Sequence, residues 1–214
     1  VKVKYICIPV GPIGTNCYVF WDERSGSAAV VDPGFEPERI MEEIKANALK
    51  VEHIVLTHGH YDHILAVSDI KKMTGADVLI GKKDAFCLTD ADRALAGRWS
   101  GFDFIPVKPD RELSEGDTFT VGELQCRVME TPGHTCGSIC IICEDVIFSG
   151  DTLFYCECGR CDLPTGNYGD MLRSLARLAR LEGNYTVLPG HDQDTTLDIE
   201  RRHNRYMKEG LALR

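Results

Sequence analysis

Residues 57–63 spell Thr-His-Gly-His-Tyr-Asp-His, so His58, His60, Asp62 and His63 stand together in one short segment with no low-complexity run around it. Imidazole nitrogen and carboxylate oxygen are the donors that zinc, iron and manganese accept at sites left open for chemistry. At the end of an extended strand, side chains two positions apart project to the same side, so His58 and His60 are placed to grip one cation together. Asp62 and His63 then face a second.

Further donors stand where short apolar runs end in glycine-containing turns. His134 lies in TPGHTCGS after the strand-like LQCRVMET, Asp151 lies in FSGDTLF after VIF, and His191 lies in VLPGHD after TVL. Loops at strand ends are where side chains are delivered into clefts. The scheme uses five of the seven histidines and leaves His53 and His203 as surface or satisfied core residues.

Taken in order, VVDPG, THGHYDH, TPGHTCGS, FSGDTLF and LPGHD resemble the metallo-β-lactamase superfamily, and the resemblance covers nearly the whole chain. It implies an α+β fold, an αββα four-layer sandwich of two mixed β-sheets flanked by helices, with residues 1–214 forming a single domain and the metal cleft at one edge. It also implies that His58, His60 and His134 hold a first divalent ion, that Asp62, His63 and His191 hold a second, and that Asp151 bridges the two. The ions are expected to be zinc, with iron and manganese as alternatives for the same donors. Asp32 in VVDPG resembles the aspartate on the cleft floor that buttresses a ligand. A capping or turn role would fit Asp32 equally.

Two ions sharing a bound water lower its pKa towards neutrality, which points to hydrolysis. Within the superfamily, TNCY, GDTLF, the CGR of Cys158–Arg160 and the ERRHN of Glu200–Asn204 resemble the glyoxalase II-like hydrolases, which cleave hydroxyacyl thioesters of glutathione. The resemblance implies a small-molecule thioester substrate, attack by a hydroxide bridging the metals, Asp62 as the residue that orients it, and Arg160 as the contact for the peptide part of glutathione. The chain departs from that group in carrying Asp162 and Gln193 where tyrosines are common, and in stopping near 214 without the helical extension that completes the glutathione pocket. Asp162 and Asn167 in GRCDLPTGN either contact substrate or shape their loop.

The alternative reading is oxidative. GRCD also resembles the GRTD of persulfide dioxygenases, where a mononuclear iron is held by the equivalents of His58, His134 and Asp151. A metal-stabilised binding protein without catalysis is a third reading, disfavoured because seven donors shared between two ions leave positions open, whereas structural sites are closed.

The elements that must position these residues follow from periodicity. Strands are expected near 3–8, 16–21 and 27–31, then an amphipathic helix over EPERIMEEIKANAL begun by the turn at Pro37. The buried strand VEHIVL ends at the ligands, and a helix over 64–74 carries Asp62 and His63 in its first turn. A strand at VLI precedes a helical segment over 82–96. The second half predicts strands near 118–121, 124–131, 138–143 and 146–149, a helix over 169–182, the strand TVLP and a final helix over 195–209. Between the halves, GRWSGFDFIPVKP places Trp99, Phe102 and Phe104 either as an apolar flap over the cleft or as anchors on the core.

With 214 residues and 43% hydrophobic content, the chain can bury a substantial core. A net charge of −9 disfavours nucleic-acid partners, which need clustered Lys and Arg. No apolar run is long enough to span a membrane, and the first residues alternate like a strand without a signal-peptide cleavage pattern. Ten cysteines in such a chain fit a reducing compartment, with the cytoplasm as the default location. Cys17, Cys140 and Cys143 read as buried small hydrophobes. Cys136 either approaches the cleft or fills the space under it. Cys156, Cys158 and Cys161, just past Asp151, offer either ordinary packing or a thiol cluster for an additional metal or redox chemistry.

Overall fold

Runs such as Cys17–Phe20 and Ile139–Cys143 are apolar at every position, which is the pattern of strands covered on both faces rather than on one. The computed structural model, which describes residues 2–99 and 101–213, covers both faces of two sheets. Its first half runs β1 (Lys4–Val10), β2 (Thr15–Trp21), β3 (Ser27–Val31), α1 (Pro37–Ala46), β4 (Lys50–Leu56), α2 (Tyr61–Ile64), α3 (Val67–Thr74), β5 (Asp77–Gly81), a 3-10 segment (Lys82–Leu88), α4 (Ala96–Trp99) and β6 (Arg111–Leu113). The second half runs β7 (Thr118–Val121), β8 (Leu124–Glu130), β9 (Ile139–Cys143), β10 (Val146–Gly150), β11 (Leu153–Phe154), β12 (Glu157–Cys158), α5 (Tyr168–Ala179), β13 (Thr186–Pro189), β14 (Thr195–Thr196), α6 (Leu197–His203) and α7 (Arg205–Ala212).

The strands form two six-stranded mixed sheets, ordered β1-β2-β3-β4-β5-β6 and β14-β13-β10-β9-β8-β7, with β11 and β12 as a separate hairpin. Parallel pairing joins β3 to β4, β4 to β5 and β5 to β6 in the first sheet, and β10 to β13 in the second. Alternate residues divide each strand between two cores. Tyr18, Phe20 and Val55 of the first sheet meet Ile139, Ile141 and Phe148 of the second in the layer between the sheets. Val19, Ile54 and Leu56 face outward against Ile40 and Ile44 of α1 and Val67 and Ile70 of α3. Cys140 and Ile142 face the other way, against Met171, Leu175 and Leu178 of α5 and Met207 of α7. The result is the α+β fold in αββα layers.

Three helices differ from their expected spans. The helix expected over 64–74 is interrupted between α2 and α3, because the Ala66 N–H is drawn to the Pro33 carbonyl, 3.0 Å away, instead of continuing the helical ladder from α2. Residues 82–96 form the 3-10 segment and a turn rather than one helix. There the Asp90 carboxylate accepts from the backbone N–H groups of Asp92 and Arg93, a local alternative to the helical ladder. The final helix divides at Asn204, whose backbone is extended and whose side chain caps α7 through Tyr206 and Met207. Strands β6, β11, β12 and β14 were not expected; each spans two or three residues, too short for periodicity to show.

Phe148 stands at the centre of the layer between the sheets, its ring 4.8 Å from Phe20 and 5.6 Å from Tyr18, with no exposure to solvent. Phe148→Ala is expected to cost about 3–5 kcal/mol, the usual range for emptying an aromatic site in a core. A shift of the urea midpoint in chelator-treated protein measures it, and a loss below about 1 kcal/mol would contradict this packing.

Candidate metal centre

All the candidate donors arrive from one end of the two sheets, the carboxyl ends of β3, β4, β8, β10 and β13, the usual place for ligands in open sheets with parallel strands. β4 leads into Thr57–His63, with His60 just before the first turn of α2 and Asp62 and His63 within it. A register irregularity between Phe148 and Gly150 precedes the last β10–β13 pair, Gly150 with Pro189, and turns the chain into Asp151. Gly190 lets the His191 loop approach closely, since a Cβ there would overlap the Asp151 carboxylate and the His63 ring.

The seven donors form two adjoining groups. Ligand atoms of His58, His60 and His134 lie within 4.8 Å of one another, and so do those of Asp62, His63 and His191. His60 Nδ1 is 2.9 Å from His134 Nε2. Asp62 Oδ2 is 3.2 Å from His63 Nε2 and 3.3 Å from His191 Nε2. Asp151 stands between the groups, with Oδ1 3.4 Å from His63 Nε2 and Oδ2 3.5 Å from His134 Nε2 and 3.6 Å from His191 Nε2. Donors on a tetrahedral ion with bonds of about 2.0–2.1 Å stand roughly 3.3–3.4 Å apart, so most of these spacings already match shared ions.

Polar satisfaction gives a sharper test of fit. His58 Nε2, His63 Nε2 and Asp151 Oδ1 are buried without a hydrogen-bond partner, a costly state for three polar atoms in one place. The opposite edge of each ring is engaged. His63 Nδ1 donates to Asp32 Oδ2 at 2.9 Å, and His134 Nδ1 donates to the Arg160 carbonyl at 2.7 Å. His58 Nδ1 lies 3.1 Å from Thr57 Oγ1, whose own proton goes to Asp32 Oδ2. Each of these imidazoles is therefore turned so that its free nitrogen faces the cluster, the arrangement that fixes tautomer and aim in metal sites. The donors present fit a pair of divalent ions.

Asp32 groups with His58 and His63 by distance alone, but both its oxygens are occupied, by the Thr57 backbone N–H, the Thr57 hydroxyl and His63. It holds ligands instead of being one. Its left-handed backbone, with φ of 51°, shows that it also turns the chain where β3 ends.

The two groups differ electrically in the metal-free protein. Burial, then the neighbouring histidines, push His58 well below the ordinary histidine range and His60 down to about 3. His63 behaves oppositely. Burial would lower it, yet Asp62, Asp151 and Asp32 together hold it well above the ordinary range. For Asp62, burial is likewise outweighed by His63 and by the His191 hydrogen bond, which keep its carboxyl well below the usual value. His58 and His60 are thus neutral and ready to accept an ion, whereas His63 holds a proton that an ion would displace.

Other expected residues are placed differently. Arg160 lines a cavity of about 420 Å³ above the cluster, together with Ile13, Tyr61, Leu95, Phe154 and Leu163. Its guanidinium makes two hydrogen bonds to Asp162, at 2.7 and 2.8 Å, and both side chains are exposed. Asn167 is engaged as the N-cap of α5, accepting from the Asp170 N–H. Of the aromatic segment, Phe104 packs on the outer core of the first sheet and Phe102 packs against Phe35, while the Trp99 side chain and Ser100 lie outside the described residues. Cys136 reaches beneath the His134 loop, its Sγ 3.6 Å from the Lys83 carbonyl. Cys158 and Cys161 pack on the α5 side of the second sheet, and all ten cysteines are free thiols. Among the described residues no cysteine joins a candidate metal group.

Several positioning residues carry little signal in the sequence. The Thr15 hydroxyl donates to Asp62 Oδ2 at 2.9 Å. Asn16 and Tyr18 donate to the Pro189 carbonyl, and Asn16 also to that of Asp192, which fixes the loop carrying His191. Only the TNCY motif hinted at them. Buried Glu200 accepts from the Cys156 N–H, Thr195 and Asn204, and so pins the β11–β12 hairpin that presents Phe154 to the cavity.

Comparison with known proteins agrees with this geometry. The model of the metallo-beta-lactamase superfamily matches residues 10–191. An uncharacterised protein of Aquifex aeolicus is 41% identical over 95% of this chain and 97% of its own length. Hydroxyacylglutathione hydrolase GloC of Haemophilus influenzae is 33% identical over 94% of this chain and 96% of its own. Among solved structures, BLEG-1 B3 metallo-beta-lactamase superposes with a TM-score of 0.90 at 33% identity, covering 95% of this chain and 99% of that one. TTHA1623 in a di-iron-bound form gives 0.83 at 32% identity, over 94% and 99%. ETHE1 from Myxococcus xanthus gives 0.80 at 28%, over 99% and 92%. The chain belongs to the metallo-β-lactamase superfamily.

The electrical contrast between the groups predicts a pH signature. Burial keeps His58 well below the ordinary range and His60 down at about 3, so neither should release a proton when an ion is taken up between pH 6 and 8. His63, held protonated, must release its proton, so the second ion should bind about tenfold more tightly per pH unit until the raised His63 pKa is passed. Zinc competition titrations at several pH values read both slopes; equal slopes would contradict the assignment.

Proposed function

We propose that the chain is a binuclear metal-dependent hydrolase acting on a thioester, such as a hydroxyacyl-glutathione. One observation carries the reading. Two donor groups adjoin across Asp151, and three buried polar atoms among them, His58 Nε2, His63 Nε2 and Asp151 Oδ1, make no hydrogen bond within the protein. A single ion would leave one group unexplained. Two divalent ions, with zinc the first expectation and iron or manganese open, would be held by His58, His60, His134 and Asp151 and by Asp62, His63, His191 and Asp151. When bound, such a pair acidifies a shared water and polarises a carbonyl.

The chain's own residues account for the rest. Asp62, oriented by the Thr15 hydroxyl, stands at the junction of the second group and the cavity, where it can aim the attacking water. Its lowered pKa makes it a weak base, which suits a thioester because a departing thiolate needs little protonation. The apolar walls of Ile13, Leu95, Phe154 and Leu163 exclude bulk water from the acyl group. Arg160, which lines the cavity, is placed to meet an anionic carrier by exchanging Asp162 for a substrate carboxylate. The likeness to a hydroxyacylglutathione hydrolase and to a di-iron protein supports this reading.

A small soluble substrate is proposed as the partner, with no nucleic acid or membrane. The net charge of −9 supports the first exclusion, and no helix among the described residues is long and apolar enough to cross a membrane. The free thiols support a cytoplasmic setting.

Metal analysis and an assay panel test the reading. The expected result is close to two ions per chain and release of thiol from S-lactoylglutathione without oxygen. One iron with a strict oxygen requirement would decide for the mononuclear dioxygenase, and turnover of a cephalosporin in place of thioesters would move the substrate class towards that of the B3 enzyme it resembles. Asp62→Ala should lower kcat by at least about 100-fold while the fold persists, since aiming a nucleophile is worth that much. Near-native turnover would remove Asp62 from the mechanism. Arg160→Ala should mainly raise KM; an unchanged KM would take Arg160 out of substrate binding.

A further inference from the structure

Asp84 is a buried carboxylate, 1% exposed, that none of the roles above employs. It follows β5 in the 3-10 segment, far in sequence from every candidate ligand, and its side chain is turned inward between two ligand loops. Asp84 Oδ2 accepts from the backbone N–H of Gly59, at 3.0 Å, and from the hydroxyl of Thr135, at 2.7 Å. Gly59 is the residue between His58 and His60, and Thr135 directly follows His134. A third donor is the Gly137 N–H in the same loop as His134. The Thr135 hydroxyl is also 2.7 Å from Ser138 Oγ, which in turn accepts from the Thr135 N–H, so the loop is braced on both sides of its attachment.

The space is built for this contact. A Cβ at Gly59 would strike Cys87 of the 3-10 segment, and one at Gly137 would strike Asp84 itself. Burial raises the Asp84 carboxyl, opposed by the hydrogen bonds from Thr135, Gly59 and Gly137. An apolar side chain would fill such a position at lower cost than an isolated buried charge. What the carboxylate supplies is a shared side-chain acceptor for donors on the two loops, at their ligand-bearing ends, beyond the backbone bond from the Ile139 N–H to the Thr57 carbonyl at 2.8 Å.

We infer that Asp84 is the positioning residue of the three-histidine group: it ties the His58–His60 turn to the His134 loop and sets the separation of the three imidazoles. The inference rests on the reading of those histidines as ligands of one ion. Partners of this kind, which hold ligands without touching the ion, typically change metal affinity by about 10–100-fold when removed. Asp32 does this work for His58 and His63; Asp84 does it on the opposite side, for the turn containing Gly59 and for the His134 loop.

The test uses the full chain, stripped of metal, with zinc as the probe. Asp84→Asn keeps the shape but turns an N–H group towards donors. In a His191→Ala background, where the second group is disabled, Asp84→Asn should weaken zinc binding by about 10–100-fold in chelator competition. Leu124→Ala, buried at the start of β8 and so at the opposite end of that strand from the His134 loop, serves as the stability control. It should lower the melting temperature of the metal-free protein while any loss of zinc affinity stays well short of the roughly 10-fold loss expected of Asp84→Asn. In metal-free protein, the ring-nitrogen resonances of His58, His60 and His134 should move in Asp84→Asn and stay in Leu124→Ala. Wild-type zinc affinity in Asp84→Asn, or equal affinity loss in both variants, overturns the inference. If the parent takes up no zinc, the ligand reading fails instead, and unmoved ring resonances in Asp84→Asn would then dismiss Asp84 as well.

Discussion

The carboxylate of Asp32 is the interaction on which the site depends. Buried at the end of β3, it accepts from the Thr57 backbone, the Thr57 hydroxyl and His63, and through Thr57 it reaches His58. One side chain thereby orients a donor in each group. A buried carboxylate with that many donors is sustainable only because every one of them is aimed at it. Its constraint passes outward. With Nδ1 of His58 and His63 committed on this side, their Nε2 atoms face inward, where neither makes a hydrogen bond and that of His63 stands 3.2 Å from Asp62 and 3.4 Å from Asp151.

Opposing charge arrangements on the two sides of Asp151 follow from which neighbours each ring was given. Burial first, and the neighbouring imidazoles after it, disfavour positive charge on His58 and His60. His63 sees three aspartates, which outweigh its burial. The same residue type, a few ångströms apart, is thus prepared for two different states. His58 and His60 are pre-formed neutral donors, and the Asp-rich group is stabilised by the proton on His63.

Much of this was legible in the sequence because chemistry-bearing residues followed short apolar runs and glycine turns, and such local patterns survive folding. His134, Asp151 and His191 lie within reach of the THGHYDH residues, as the motif order implied. The continuous apolar strands likewise signalled a doubly covered sheet. What was not legible depended on tertiary partners. The break between α2 and α3 comes from a hydrogen bond to Pro33, the 82–96 segment yielded to a side-chain turn at Asp90, and Asp84 and Thr15 are single polar residues without spacing or repetition to mark them. Asn167, open in the sequence between contacting substrate and shaping its loop, illustrates the same limit: an asparagine before a helix reads alike whether it caps or binds.

Ile13, Leu95 and Leu163 come from three separate connections and Phe154 from the β11–β12 hairpin, and none of them supplies a donor atom to the cluster. Strand termini set the reactive floor, while independent segments supply the rim. Lengthening or rewriting any one of those segments would reshape what enters without disturbing what reacts. Such a division lets a single scaffold diversify its diet of substrates by loop exchange, and it makes the rim, rather than the floor, the natural target for redirecting this protein by selection.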